Sequence, residues 1–150
     1  CLEELEVLVE PGMRVLDVGC GSGILSIAAA KLGASSVLGL EVDPVSVGVA
    51  KRNVRENGVA HGVHVVQGSL PHPEVPGRTH DLAVANISAR VISQMAGHLV
   101  EAVRPGGRVI VSGLLLDNSD AVEEALVSAG AEVRDTFADD DWVTLVASVS

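Results

Sequence analysis

Short apolar runs alternate with helix-period patterns along the whole chain. Leu2, Leu5 and Val9 repeat at three- and four-residue spacing and predict a short amphipathic helix, ended by Pro11-Gly12. Val15 to Val18 is compact and apolar apart from Asp17, and predicts a first strand. Gly23 to Leu32 predicts a helix with Gly33 as its stop, Val37 to Leu40 a second strand, and Pro44 to Asn57 a helix ended by Gly58. Val63 to Gln67 predicts a third strand, and the Pro-rich stretch Leu70 to Thr79 a loop. Further strands are expected at Asp81–Asn86 and Arg108–Ser112, with a helix at Ala89–Val103 and a turn at Arg104–Gly107 between them. A last helix is expected over Asp120–Ala129. Glu132–Phe137 and Trp142–Val149 then read as a closing pair of strands around the polar turn Ala138–Asp141.

This alternation implies an α/β fold: a Rossmann-like, doubly wound sheet of about seven strands, mostly parallel and covered by helices on both faces. The short turn between the last two strands implies an antiparallel edge. With 150 residues, 47% of them hydrophobic, and no repeat or linker, residues 1–150 read as one domain with one substantial core.

The junction of first strand and helix carries the most informative chemistry. Asp17-Val18-Gly19-Cys20-Gly21-Ser22-Gly23 places an acid and three alternating glycines between them. Such a strand–glycine loop–helix unit lets the backbone approach a nucleotide closely, whereas a plain turn needs one such glycine. The dinucleotide fingerprint spaces its third glycine three residues after the second, and here the gap is two. A pyrophosphate would also be repelled by Asp17, whereas the ammonium and sulfonium of S-adenosylmethionine favour a nearby carboxylate. The loop therefore points to that cofactor, with Asp17, Gly19, Cys20, Gly21 and Gly23 as binding candidates. Glu41 follows Gly21 by twenty residues and ends the second strand, where a bidentate carboxylate matches a ribose diol. Val42 beside it joins the set, while Asp43 before Pro44 reads as the cap of the next helix.

A ligand in this fold lies outside the carboxyl ends of the strands, where the strand order reverses. Ser69 and Leu70, after the third strand, are candidates to meet the adenine, by a hydrogen bond and by packing. Asn86 ends the apolar strand Leu82-Ala83-Val84-Ala85, and its carbonyl can accept a hydrogen bond from a substrate amine and orient its lone pair. The five histidines form no catalytic constellation, and no spaced Cys/His cluster suggests a metal. Cys1 and Cys20 do not suggest a disulfide framework, and a reducing cytoplasm is the default. No apolar run reaches the roughly 18 residues of a membrane span. The formal net charge of −10 argues against direct binding of nucleic acid and suits a basic partner. The run Asp139-Asp140-Asp141 reads as a solvated turn.

Leu16-Asp17-Val18-Gly19-Cys20-Gly21-Ser22-Gly23-Ile24-Leu25 resembles motif I of class I S-adenosylmethionine methyltransferases. Three further segments are similar to the ribosomal protein L-eleven methyltransferases of PrmA type. They are Val84-Ala85-Asn86-Ile87, Pro105-Gly106-Gly107-Arg108 leading to Ser112-Gly113-Leu114-Leu115, and Asp141-Trp142-Val143-Thr144-Leu145-Val146. The resemblance spans nearly the whole chain. It implies methyl transfer to lysine side-chain or N-terminal amines of a basic ribosomal protein, with Asn86 orienting the amine and water removing the proton. Glu41 stands where an aspartate is commoner, which keeps the chemistry. Family members usually carry an N-terminal recognition domain and a threonine-rich segment before the position of Cys1; neither is in this sequence, which leaves a fragment or a relative with another substrate as expectations. Other readings stay open from the residues: a class I methyltransferase acting on RNA or a small molecule, a non-catalytic nucleotide-binding module, or a dinucleotide oxidoreductase domain.

Overall fold

The computed structural model describes all residues, 1–150. Seven strands form one sheet: β1 (Arg14–Val18), β2 (Ser36–Glu41), β3 (Val63–Gln67), β4 (His80–Asn86), β5 (Val103–Leu115), β6 (Ala131–Asp139) and β7 (Trp142–Val149). Their order is β3-β2-β1-β4-β5-β7-β6. The first five strands run parallel, and β7 enters antiparallel between β5 and β6. Sequence expected this doubly wound sheet with an antiparallel edge.

Five helices cover it: α1 (Leu2–Leu8), α2 (Ile24–Lys31), α3 (Pro44–Glu56), α4 (Ala89–Glu101) and α5 (Leu116–Ser128). The alternation of side chains along each strand sorts the core into two layers. Val15, Val84, Ile110 and Val146 face α1, α2 and α3, with Leu5, Ala29 and Ala50 in the same cluster. Leu16, Ala83, Ala85, Val111 and Leu145 face the opposite way, onto Ile92 and Leu99 of α4 and Leu126 of α5. Aliphatic side chains fill both layers.

Two boundaries differ most from the sequence reading. Residues Arg104 to Gly107, expected as a turn, lie within β5. They bulge out of the ladder, whose register jumps from His80↔Val103 to Leu82↔Arg108. The bulge is held by Asp81, which pairs with the Arg104 guanidinium and accepts the Arg14 N–H at 2.8 Å. Helix α5 starts at Leu116 and not at Asp120. No side chain caps it; the Leu116 N–H donates instead to the carbonyl of Asp141 at 2.8 Å. That partner comes from the β6–β7 turn, so tertiary structure sets the helix start.

Strand order reverses between β1 and β4, because β2 and β3 extend one way and β4 and β5 the other. The crevice at this reversal opens at the carboxyl ends of both strands, at Val18 and Asn86.

Candidate active site

A cleft of about 900 Å³ opens at that crevice. Its lining joins the glycine loop (Gly19, Cys20, Gly21, Ser22), the first residues of α1 and α2, Asn86 of β4, Ser112 of β5, and Phe137, Trp142 and Thr144 of the β6–β7 pair.

The loop leaves β1 and is tied to the end of β2. The N–H groups of Gly19 and Cys20 both donate to the Leu40 carbonyl, at 2.8 and 2.9 Å. Gly21 has φ 56°, in the left-handed region, and a Cβ built there meets no atom within 4 Å. The space a side chain would fill is open, which leaves bare backbone facing the cleft. Glu41 braces the same loop: Oε1 accepts the Gly21 N–H and Oε2 the Asp43 N–H, each at 2.9 Å. Each carboxylate oxygen keeps acceptor capacity beyond these bonds. Asp43 caps α3, accepting from the Val45 N–H at 3.2 Å and the Ser46 hydroxyl at 2.9 Å, with Pro44 as the first helical residue.

Asp17 lies beneath the loop and is 1% exposed. Its Oδ2 accepts from the Ser26 hydroxyl at 2.7 Å, and its Oδ1 is buried with no partner. Burial pushes its pKa up to about 6; the Ser26 hydrogen bonds oppose the rise and the Glu41 charge adds to it. The Cys20 thiol is pushed up to about 12, by burial first and then by the Asp17 and Glu41 carboxylates. It is therefore protonated, and a poor nucleophile, at neutral pH.

Asn86 stands exposed at the end of β4, in register with Ser112 of β5. Gly113 follows at φ 77° in a second β5 bulge, where the register with β7 shifts between Val111 and Leu114. A Cβ on Gly113 would lie 2.7 Å from Asn86 Oδ1, so only glycine leaves room for this carboxamide.

Of the residues read from sequence, Gly19, Cys20, Gly21 and Asn86 line the cleft, Asp17 and Gly23 build the loop, and Glu41 bonds to it. Val42 is exposed beside Glu41. Ser69 and Leu70 follow β3, and the Gly68 N–H ties that turn to the Glu41 carbonyl at 2.9 Å. Neither lines the cleft: Leu70 packs against the α4–α5 layer and lines a separate cavity of about 120 Å³ with His72 and Val75. Sequence gave no role to Ser112, Thr144, Phe137 or Trp142. A usable signal existed for the first two, since each is a polar residue in an apolar strand at the side-chain parity of Ile110 or Val146. His80 is buried at the start of β4, at the strand end away from the cleft.

Comparison with known proteins bears on the family and the fold. The family model described as "Ribosomal protein L11 methyltransferase (PrmA)" matches residues 1–149. The ribosomal protein L11 methyltransferase of Geobacillus kaustophilus is 46% identical over 148 residues, covering 98% of this chain and 46% of that protein. That of Pelotomaculum thermopropionicum is 46% identical over 147 residues, covering 98% of this chain and 47% of the relative. The chain thus spans about half the length of the curated relatives it matches. Among solved structures, the ribosomal protein L11 methylase of Lactobacillus delbrueckii subsp. bulgaricus superposes with a TM-score of 0.89 at 34% identity, over 99% of this chain and 77% of that one. A geranyl diphosphate methyltransferase in complex with SAM has a TM-score of 0.84 at 13% identity and shares the fold.

Proposed function

We propose that this chain, which belongs to the ribosomal protein L11 methyltransferase (PrmA) family, carries the S-adenosylmethionine site and methyl-transfer centre of an enzyme acting on lysine side-chain or N-terminal amines of ribosomal protein L11. One observation carries the reading: the bare backbone at Gly21 and the carboxamide of Asn86 face a single cleft at the strand-order reversal. A cofactor on the loop and an amine at Asn86 would then be neighbours.

The residues present fit the cofactor. The buried Asp17 Oδ1 without a partner is an acceptor awaiting positive charge, and the open space at Gly21 is a cradle that a Cβ would fill. We assign Asp17 to the cationic methionine end, and the backbone of Gly19, Cys20, Gly21 and Gly23 to the cradle. Glu41 takes the ribose hydroxyls through its remaining lone pairs, and Val42 and Ser69 take the adenine side, whereas Leu70, packed on the α4–α5 layer, does not. When bound, S-adenosylmethionine supplies an activated methyl group. The chain contributes orientation and desolvation.

Asn86 Oδ1 accepts one N–H of the incoming amine and turns its lone pair toward the methyl group. A lysine amine has a free pKa of about 10.4 and reacts only after losing its proton. An apolar wall and nearby positive charge both lower that value. Leu2, Leu25, Phe137 and Trp142 supply the apolar part of the wall. The protonated Cys20 thiol is no base, and we assign proton removal to water. The ribosomal substrate implies a cytoplasmic enzyme; no helix here is long and apolar enough to cross a membrane.

The test uses full-length enzyme. Asn86→Ala is expected to leave S-adenosylhomocysteine affinity nearly intact by calorimetry, and to lower the rate of methyl transfer to L11 by mass spectrometry. An unchanged rate, or efficient methylation of RNA but not of L11, would sink the assignment.

A further inference from the structure

On the face of the sheet that packs against α1, α2 and α3, Val84, Ile110 and Val146 form one continuous apolar row across β4, β5 and β7. One step toward the cleft, each strand replaces its apolar residue with a polar one. Asn86 stands two residues beyond Val84, Ser112 two beyond Ile110, and Thr144 two before Val146 on the antiparallel strand. Asn86 and Ser112 are in register, and the hydroxyls of Ser112 and Thr144 lie 2.8 Å apart. Both residues are 9% exposed, and both line the cleft.

We propose that the Ser112–Thr144 hydroxyl pair is a second hydrogen-bond acceptor for the substrate amine, beside Asn86, and that it serves chiefly the first methyl transfer. This rests on the methyltransferase reading above.

Two hydroxyls have two protons and four lone pairs. Their mutual bond consumes one of each, leaving three lone pairs and one proton beside the cleft. A neutral primary amine brings two N–H donors and one lone pair. With one N–H on Asn86 Oδ1 and the other on the hydroxyl pair, the lone pair alone remains free, and it faces the methyl donor. Neither N–H is then left unpaired in a desolvated site, which would otherwise cost free energy. The demand falls as methylation proceeds. A monomethylated amine has one N–H, which Asn86 can satisfy alone, and a dimethylated amine has none. Loss of the pair therefore penalises the first transfer selectively. Two hydroxyls that only satisfied each other across the strands would show no such selectivity.

The experiment compares full-length wild type, Thr144→Val, and Ser112→Ala/Thr144→Val on L11 bearing either unmodified or monomethylated lysine. S-adenosylhomocysteine binding is measured in parallel to confirm an intact fold. The expected result is a fall of about tenfold in kcat on unmodified lysine for the double variant, the equivalent of one lost hydrogen bond. The rate on monomethylated lysine should change less than twofold, and Thr144→Ser should restore the first transfer. If the double variant does not fold, Ser112→Cys/Thr144→Val, which keeps the shape of both side chains without a hydroxyl, decides the matter. Equal slowing on both substrates, or no slowing on either, overturns the inference while leaving the methyltransferase reading in place. Wild-type enzyme that does not methylate L11 overturns both.

Discussion

Gly21 and Glu41 are one device at the scale of single residues: the acid holds the glycine's N–H while the glycine's missing side chain leaves the cleft open. Gly21→Val should abolish S-adenosylhomocysteine binding in calorimetry. Strain at its left-handed φ should cost about 1–3 kcal/mol of stability. Wild-type affinity in that variant would sink the loop assignment. Glu41→Ala should weaken binding by about 1–3 kcal/mol, through lost ribose acceptors. Because Glu41 also accepts two backbone N–H groups, the variant should show faster hydrogen exchange at Gly21 and Asp43 even without ligand. Asp17 adds a pH dependence. Its folded pKa of about 6 lies above the ordinary 3.8, so the folded chain holds that proton more tightly. Its ionisation therefore costs nothing below the ordinary value, and a growing amount as pH rises toward about 6. The full cost is about 3 kcal/mol, set by the gap between 3.8 and about 6. Denaturant midpoints of wild type relative to Asp17→Asn should fall across that window and level off above it. A cationic ligand reverses the preference and favours the carboxylate, so cofactor affinity should drop as pH falls below about 6. These residues were legible in sequence because spacing exposes them. The bracing role of Glu41 was not, since a bond between positions twenty apart exists only once β1 and β2 pair.

Caps and bulges decide what each element presents to the cleft. Asp43-Pro44 announced the start of α3 from sequence, because an acid before a first-turn proline satisfies otherwise orphaned N–H groups. Asp43→Ala should cost about 1 kcal/mol of stability, read as a lower thermal midpoint, with methyl transfer affected less than by Glu41→Ala. A larger loss of activity than of stability would show that Asp43 serves the ligand directly. The start of α5 was illegible because its first N–H is satisfied by Asp141, twenty-five residues on, and not by a local cap. The second bulge of β5 was equally hidden. The sequence reading ends the strand at Ser112, yet Gly113 sits at φ 77° against Asn86 and the strand continues to Leu115. The pairing of Ser112 with Thr144 was hidden too, because it exists only once the fold brings their hydroxyls to 2.8 Å across the interrupted register of β5 and β7. Ser69 and Leu70 show the converse limit: position after a strand puts a residue near the crevice, but packing on the α4–α5 layer decided where Leu70 went.

The whole chain is acidic, with a formal charge of −10, and part of that charge borders the cleft. Glu3, Glu4 and Asp139 line it, and Asp140 and Asp141 complete the β6–β7 turn at its edge. Sequence reading treated that turn as a solvated one, which its exposure matches, but could not place it beside the site. A cleft rimmed by one sign of charge raises the local concentration of an oppositely charged partner and speeds encounter. A basic ribosomal protein should thus meet this face faster than a neutral one. The Debye length shrinks from about 30 Å at 0.01 M salt to about 8 Å at 0.15 M, so this long-range help should fade over that range. For full-length enzyme, kcat/KM on L11 should fall several-fold as salt is raised. The single-turnover rate of preformed complex should stay nearly constant, because chemistry follows encounter. Replacing Asp139, Asp140 and Asp141 by Asn should flatten the salt dependence while leaving S-adenosylhomocysteine affinity unchanged. A kcat/KM indifferent to salt would mean that the acidic rim serves solubility, and that binding energy remote from this cleft sets the rate of capture.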